Sequence, residues 1–106
     1  LHPKLAPFKV AILPLIKKDG LPEIGRSLVK KFLQNGINAR YDEQHAIGKR
    51  YRRHDEVGTP YCLTIDGDSK VDNCVTIRDR DTMQQERIPI EKAVEIIKNK
   101  LSNSHN

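Results

Sequence analysis

The sequence predicts an α/β fold in which a largely parallel sheet is covered by helices on both faces. Short runs rich in β-branched and aromatic residues alternate with segments whose apolar residues recur every three or four positions. The order is strand, helix, strand, helix, strand, then two more strands and a final helix, an alternation typical of parallel crossovers. The link between the third and fourth strands is too short for a crossover, so these two strands must run antiparallel.

The first strand and the first helix are the clearest elements. Residues 8–13 are strand-like, and Pro14 ends the strand. After a turn at residues 19–20, Pro22 suits the first turn of a helix, where a missing N–H costs nothing. Residues 35–36 (Asn-Gly) are a typical helix end. The apolar side of this helix consists of Leu21, Ile24, Leu28, Phe32 and Leu33.

The middle of the chain predicts two strands around a second helix. Residues 37–41 form a short strand, and a helix over residues 47–57 is closed by Gly58. Residues 60–66 form an apolar third strand, and residues 67–73 form a polar turn.

The last third predicts a hairpin and a closing helix. Residues 74–78 form the fourth strand, and residues 83–88 form the fifth after a short acidic turn. Pro89 then opens a helix with one apolar stripe. The stripe consists of Ile90, Ala93, Val94, Ile97 and Leu101. We expect a domain over residues 8–101 and a disordered polar tail over residues 102–106.

Size and charge restrict the function. A chain of 106 residues suits one domain, and its longest apolar run is far below the roughly 20 residues that span a bilayer. The net charge of +5 is uneven: residues 1–58 hold 12 Lys/Arg against 6 Asp/Glu, and residues 59–106 hold 7 against 8. This asymmetry indicates either a polyanion partner or a basic side that serves solubility.

Catalytic and metal-binding patterns are lacking. The sequence contains no phosphate-cradling glycine loop, no nucleophile turn, and no histidines at ligand spacing. Asp66 and Asp68 flank Gly67 at a strand end, where carboxylates usually support turns. Cys62 and Cys74 are interpreted as small buried hydrophobes in a reducing compartment, which favours the cytoplasm. The residues therefore favour a binding module.

The second helix carries the densest functional signal. At 100° per residue, the helix is predicted to bury an apolar edge and to offer a row of cations to solvent or phosphate. The buried side consists of Ile47, Tyr51, His54 and Gly58. The outer side consists of Lys49, Arg52, Arg53 and Glu56. Arg50 lies on the border near Val57, facing solvent or an acidic partner. A solvated helix face with pairs such as Arg52–Glu56 is an equally weighted alternative.

The run at residues 76–81 is the second candidate. In a strand, Arg78 and Arg80 point to one side, while Asp79 and Asp81 point to the other. Two arginine forks on one side suit phosphates or base edges. A turn with alternating surface ion pairs is the competing interpretation, and it is slightly favoured by the residues alone.

Five motifs together resemble the C-terminal anticodon-binding domain of the glycyl-tRNA synthetases, which are class II aminoacyl-tRNA synthetases. They are APFKV at 6–10, LPL at 13–15, IGKRYRR at 47–53, DEVGTPY at 55–61 and VTIRDRDTM at 75–83. The resemblance covers residues 6 to 100. The helix pattern is loosely shared with the histidyl, threonyl and prolyl enzymes, and the TIRDRD run is more specific to the dimeric glycine type.

The resemblance implies a three-layer α/β/α fold with sheet order 2-1-3-4-5 and strand 4 antiparallel. It also implies a grip on the anticodon loop of tRNA-Gly, next to an upstream catalytic domain that residues 1–7 would join. The parent would be a homodimeric ligase that uses ATP and Mg²⁺, while this chain alone would be non-catalytic, with no cofactor. The implied tRNA-binding residues are Lys49, Arg50, Arg52, Arg53, Glu56, Arg78, Asp79 and Arg80. Single-stranded loops are read by hydrogen bonds to splayed bases.

Two other functions fit parts of the sequence. The accessory subunit of the mitochondrial DNA polymerase uses a related, non-catalytic domain to bind a protein or DNA. A small flavodoxin-like enzyme would share the strand–helix order, but it needs a phosphate- or cofactor-binding loop after the first strand. Residues 14–20 contain one glycine and no hydroxyl side chain, which disfavours such an enzyme.

Overall fold

The computed structural model describes residues 8–44 and 47–103, except the side chain of Ile47. It contains five strands, four helices and one turn of 3-10 helix at Ile90–Lys92 within these ranges. The elements are β1 (Val10–Pro14), α1 (Leu21–Gln34), β2 (Ala39–Tyr41), α2 (Ile47–Val57), β3 (Tyr61–Ile65), α3 (Ser69–Asp72), β4 (Cys74–Asp79), β5 (Gln85–Pro89) and α4 (Ala93–Asn103). Within the same ranges, no helix has the length and apolar character that crossing a bilayer requires.

The five strands form one mixed sheet in the order β2-β1-β3-β4-β5. β1 runs parallel to both β2 and β3, whereas β4 runs antiparallel to both β3 and β5. This arrangement confirms the predicted order and the antiparallel fourth strand. It also places residues 78–80 at the end of β4, next to the start of β3, with Tyr61 directly opposite Asp79.

One face of the sheet is sealed by α1 and α4. Because α1 carries apolar residues at helical spacing, one side of this helix packs its apolar side chains against the sheet. Phe32 and Ile97, from α1 and α4, are fully buried against strand residues such as Ile12. Gly25 permits a close approach of α1, since a Cβ there would lie 2.7 Å from the ring of Tyr41.

The other face of the sheet carries α2, and the described side chains supply little apolar volume there. Its buried apolar cluster consists of Ala11, Leu13 and Cys62, with Tyr51 of α2 packed against it. The three layers are therefore as predicted. Burial raises the pKa of the Cys62 thiol to about 12, which keeps it neutral. Cys74 is only partly buried, so the prediction of a second buried cysteine was wrong.

Several boundaries differ from the predictions, and β2 and β5 each begin two residues later than predicted, at Ala39 and Gln85. The polar turn after β3 contains the one-turn helix α3, because Asp66 and Ser69 exchange backbone-to-side-chain bonds of 3.1 Å in both directions. The last helix is preceded by a 3-10 turn and runs to Asn103, into the predicted tail. The predicted linker (1–7) and residues 104–106 lie outside the described ranges.

Candidate nucleic-acid interface

The helix α2 buries charged and polar side chains beside Tyr51, which corrects the prediction of an apolar edge, and Arg50 is the first of them. Arg50 is 2% exposed, and its Nη1 donates to the carbonyl oxygens of Pro14 at 2.7 Å and Asp42 at 3.0 Å. Its Nη2 reaches the carbonyl oxygen of Leu15 at 3.4 Å. The prediction that Arg50 lies at the border of the buried side was wrong, because these carbonyls at the strand ends bind its guanidinium in the interior. Arg50 is therefore not at the surface as the prediction of a tRNA contact requires.

His54 forms a second buried polar contact beneath α2. Its Nε2 lies 2.9 Å from Oδ2 of Asp42, and its Nδ1 lies 3.4 Å from Oγ1 of Thr59. Burial lowers the pKa of His54, with Arg40 and Arg53 acting in the same direction and Asp42 opposing them. The pKa of Asp42 is also lowered, because hydrogen bonds from Gln44 and His54 outweigh the effect of its burial. The pair ties the helix to the end of β2.

Arg78 joins β4 to α2 through a two-pronged ion pair. Its two terminal nitrogens donate to the carboxylate of Asp55 at 2.9 and 3.1 Å, and only 10% of its side chain is exposed. Its guanidinium also lies 4.9 Å from the ring centre of Tyr51, whose hydroxyl is hydrogen-bonded to Thr64. The hydrogen bonds to Asp55 raise the pKa of Arg78, which holds it as a cation. Arg78 thus fixes the helix, a role that the sequence did not predict.

The outer side of α2 is confirmed as solvent-facing. Lys49, Arg52 and Glu56 are exposed, and Arg53 is half-buried with Nη1 3.5 Å from Oε1 of Gln44. Within residues 8–44 and 47–103, none of these four charged side chains forms an ion pair, so the proposed Arg52–Glu56 bridge is not made. The cations of this outer row are available to a partner.

At the end of β4, Arg80 lies on the α2 side of the sheet and Asp79 on the opposite side, as strand alternation predicts. Arg80 lies beside Gly58 at the end of α2, and its Nη2 is 3.1 Å from Oδ1 of Asp81. Asp79 points the other way, where its Oδ1 accepts the backbone N–H groups of Asp81 at 2.8 Å and Thr82 at 3.1 Å. Arg80 therefore continues the cationic side of α2, whereas Asp79 organises the β4–β5 turn.

Sequence reasoning missed the network around Arg87 on β5. Its guanidinium bridges the carboxylates of Asp66 and Asp72 at 3.0 Å each and also donates to Oγ1 of Thr76 at 3.1 Å. Asp66 thus supports its turn, as predicted, and holds β5 as well. The position of Arg87 in a strand, two residues before a proline, gave no signal of partners that are 15 and 21 residues away.

Comparison with known proteins assigns this geometry to a family. Residues 9–100 match the sequence model of a family described as "Anticodon binding domain". The chain is 55% identical over 97 residues to a glycine–tRNA ligase of Methanococcus maripaludis, covering 92% of this chain and 17% of that protein. It is 53% identical over 103 residues to a glycine–tRNA ligase of Borrelia hermsii, covering 97% and 23% respectively. The chain thus spans about a fifth of these relatives.

Two solved structures share the fold. A prolyl-tRNA synthetase from Cryptosporidium parvum superposes with a TM-score of 0.86 at 21% identity, over 95% of this chain and 22% of that one. The RNA-binding domain of a threonyl-tRNA synthetase from Cryptosporidium parvum Iowa II gives a TM-score of 0.78 at 23% identity, over 88% and 23%. At such identities the likeness extends to the fold alone.

Proposed function

The chain belongs to the anticodon-binding domain family, and from this premise we propose that it is the tRNA-recognising part of a glycine–tRNA ligase. The larger protein would charge tRNA-Gly in the cytoplasm, with ATP and Mg²⁺ bound to an upstream catalytic domain, and would be a homodimer. This chain would hold the anticodon loop so that the acceptor end of the tRNA reaches that domain.

The observation that carries the proposal is the separation of the cations on and next to α2 into two groups. The guanidinium of Arg50 is hydrogen-bonded to backbone carbonyls, and that of Arg78 is paired with the Asp55 carboxylate. Lys49 and Arg52 have no such partner in the described part of the chain and stand in solvent on a helix whose rotation is fixed. Cations that stand on a fixed helix without an ion-pair partner in the described ranges suit a phosphate backbone, whose charge supplies a large share of the affinity for nucleic acid.

The contacts divide by chemistry. Lys49, Arg52 and Arg53 would contact phosphates, since they lie along one exposed helix side. Arg80, at the strand end, would reach base edges or the adjacent phosphate. Glu56 and Asp79 are carboxylates that accept a hydrogen bond from a cytosine amine.

Arg50 and Arg78 act indirectly in this proposal. Both lie under or beside α2, and the terminal nitrogens of both already donate hydrogen bonds within the chain. They position the helix and so keep the cations at the spacing of the backbone they contact. Their loss would weaken RNA binding through the fold, unlike the loss of Arg52.

The relatives favour the ligase over the polymerase-accessory alternative. Both glycine–tRNA ligases compared above are more than half identical to this chain over almost its whole length. A flavodoxin-like enzyme is disfavoured by the end of β1, where the carbonyls of Pro14 and Leu15 face the Arg50 guanidinium. That loop directs acceptors toward a buried cation, whereas a phosphate site needs donors.

Titration with RNA tests the proposal directly. The chain is titrated with the anticodon stem–loop of tRNA-Gly and with the same hairpin after exchange of its second and third anticodon bases, at two salt concentrations. We expect the native loop to bind more tightly by about 1–3 kcal/mol per exchanged base. Both affinities should fall with salt at a log–log slope of about −0.7 per phosphate contact.

Equal binding of both hairpins would contradict the proposal. In that outcome the outer side of α2 would be a nonspecific clamp or a protein-docking surface. Measurement at two salt concentrations separates these two, because docking of a neutral protein surface lacks the steep salt dependence.

A further inference from the structure

The loop between β1 and α1 carries an exposed group of cations. Lys17 and Lys18 lie in the middle of this loop, and both are exposed. Lys70 of α3 lies next to its end, since a Cβ at Gly20 would be 3.9 Å from the Nζ atom of Lys70. Within residues 8–44 and 47–103, none of these three lysines forms an ion pair. Three lysines against one aspartate, Asp19, leave this group a net charge of +2.

The backbone of this loop is fixed at both ends. The N–H of Leu15 donates to the carbonyl oxygen of Ile65 at 2.8 Å, and the carbonyl oxygen of Leu15 accepts from Nη2 of Arg50 at 3.4 Å. At the other end, the carbonyl oxygen of Lys18 accepts from the N–H of Leu21 at 3.3 Å. The main chain is therefore bonded within the domain, and the loop offers its lysine side chains to a partner.

The loop lies at the N-terminal end of α2. Arg50, in the first turn of α2, is bonded to the carbonyl oxygens of Pro14 and Leu15. Gly58, just after the helix, lies instead beside Arg80 at the end of β4. The eleven residues of α2 extend over about 16 Å between these two ends. Exposed cations are therefore present along α2 and again beyond its N-terminal end.

The two ends of α2 differ in charge. The first turn of the helix contains no acidic side chain. At the other end, Glu56 is exposed, and Asp79 and Asp81 lie at the end of β4 and in the turn after it. Carboxylates accept hydrogen bonds from the amines of bases but repel phosphates. This charge distribution favours bases at the C-terminal end of α2 and phosphates at its N-terminal end.

We propose that Lys17 and Lys18 bind phosphates of the base-paired stem that adjoins the RNA loop. The inference rests on the proposed function and adds to it a second contact region, outside α2 and β4. An RNA backbone that follows α2 from Arg80 to Lys49 has passed from the loop into the stem when it reaches residues 17–18. Because phosphate contacts carry no base identity, this region supplies affinity and orientation and not sequence preference.

Removing the charges of the stem and of the lysines separately tests this contact. The chain is titrated at several salt concentrations with two tRNA-Gly anticodon hairpins of the same sequence. One hairpin is natural, and in the other the stem phosphates are replaced by neutral methylphosphonates. We expect Lys17→Gln and Lys18→Gln each to make the log–log salt slope for the natural hairpin shallower by about 0.9, the value for one duplex phosphate. With the neutral stem, neither variant should change the slope.

Two matched variants keep the test specific. Lys30→Gln removes an exposed cation from α1, on the opposite face of the sheet, and should leave the slope unchanged for both hairpins. Arg52→Gln removes an exposed cation from α2 and should make the slope shallower for both hairpins, since its phosphate belongs to the loop. Urea denaturation of each variant verifies that the fold is retained.

Three outcomes would overturn the inference. An unchanged slope for the natural hairpin in both lysine variants would do so while leaving the proposed function intact, and the exposed Leu15 and Ile16 would then mark the loop as a protein-docking surface. An equal loss of slope with both hairpins would show that the lysines act on the whole RNA by their charge and not on the stem. If the wild-type chain does not distinguish the natural anticodon from one with exchanged bases, the proposed function fails and the inference falls with it.

Discussion

The two faces of the sheet are held by different interactions. On the α1/α4 face, large apolar side chains such as Phe32 and Ile97 interlock with no solvent contact. On the α2 face, the apolar cluster of the described residues is limited to Ala11, Leu13 and Cys62 with Tyr51 packed against them. Charged and other polar residues make further contacts there. The first face gains its stability from buried area, at about 25 cal/mol per Å². The second face depends on a few directional bonds.

The difference explains how α2 can serve as a binding surface. Apolar packing alone tolerates small rotations of a helix, because it is not directional. The hydrogen bonds from Arg50 to backbone carbonyls and from Arg78 to Asp55 are directional, so they fix both the rotation of α2 about its axis and its position on the sheet. Lys49 and Arg52 are therefore presented at fixed positions, which lowers the entropy cost of a phosphate contact.

The largest effect is expected from the apolar face. Phe32→Ala removes a fully buried ring and leaves a cavity between α1 and the sheet. We expect the free energy of unfolding to fall by about 3–5 kcal/mol in urea denaturation. Leu33→Ala is the matched control on the same helix, since Leu33 is 52% exposed, and it should change stability by less than about 0.5 kcal/mol. A similar cost for both variants would mean that α1 is not the main apolar contact.

The second prediction addresses the polar face. Arg50→Met keeps an unbranched apolar stem but leaves the buried carbonyls of Pro14 and Asp42 without their donor. Each unsatisfied carbonyl costs about 1–3 kcal/mol, so we expect a loss of roughly 2–4 kcal/mol in urea denaturation. Arg52→Met, on the outer side of the same helix, should be nearly neutral for stability. If both variants lowered the free energy of unfolding by the same small amount, the α2 face would be stabilised by buried apolar area and not by the bonds of Arg50.

The third prediction uses the pH dependence of the polar face. Because burial lowers the pKa of His54, the folded state binds this proton more weakly than the unfolded chain, whose pKa is close to 6.5. The unfolded state is therefore favoured as pH falls below 6.5, by at most about 1.4 kcal/mol per pH unit. The lowered pKa of Asp42 adds a further loss only below its ordinary value of 3.8.

The variant His54→Gln isolates this effect. Its side-chain amide can donate to Asp42 in place of Nε2 but does not titrate. Urea denaturation of both proteins at pH 7.5 and 5.5 should show a steeper decline for the wild type. Parallel declines would assign the pH dependence to other groups and remove His54 from the contacts that hold α2 in a pH-dependent way.

The apolar face could be predicted from sequence, whereas the polar face could not. The spacing of Leu28 and Phe32 identifies a buried helix side without knowledge of what covers it, since periodicity is local. The same reasoning placed Arg50 on the helix border, whereas its side chain is buried. Two of the carbonyls that attract this guanidinium, those of Pro14 and Leu15, lie 36 and 35 residues away along the chain at the end of β1. The third, that of Asp42, is 8 residues away, and no local pattern indicates any of them.

The candidate site divides in the same way. Helix periodicity indicated the exposed positions of Lys49, Arg52 and Glu56, and strand alternation separated Asp79 from Arg80. The pairing of Arg78 with Asp55 spans 23 residues and depends on the register of α2 over β4. Both residues stood in recognised motifs, but their partnership follows only from the tertiary structure.

The smallest effect on stability is expected for the exposed cations of α2, whose loss should weaken RNA binding the most. Lys49→Gln and Arg52→Gln each remove an exposed cation without an ion-pair partner in the described ranges, so stability should change by less than about 0.5 kcal/mol. For the tRNA-Gly hairpin, each variant should make the log–log salt slope shallower by about 0.7. Lys98→Gln, on α4 across the sheet, is the matched control and should leave the slope unchanged. If the α2 variants keep the full slope while binding weakens, the substitutions act through the structure of α2 and not through phosphate charge. If each variant makes the slope shallower by one step, α2 contacts the phosphate backbone directly and the polar face fixes its position.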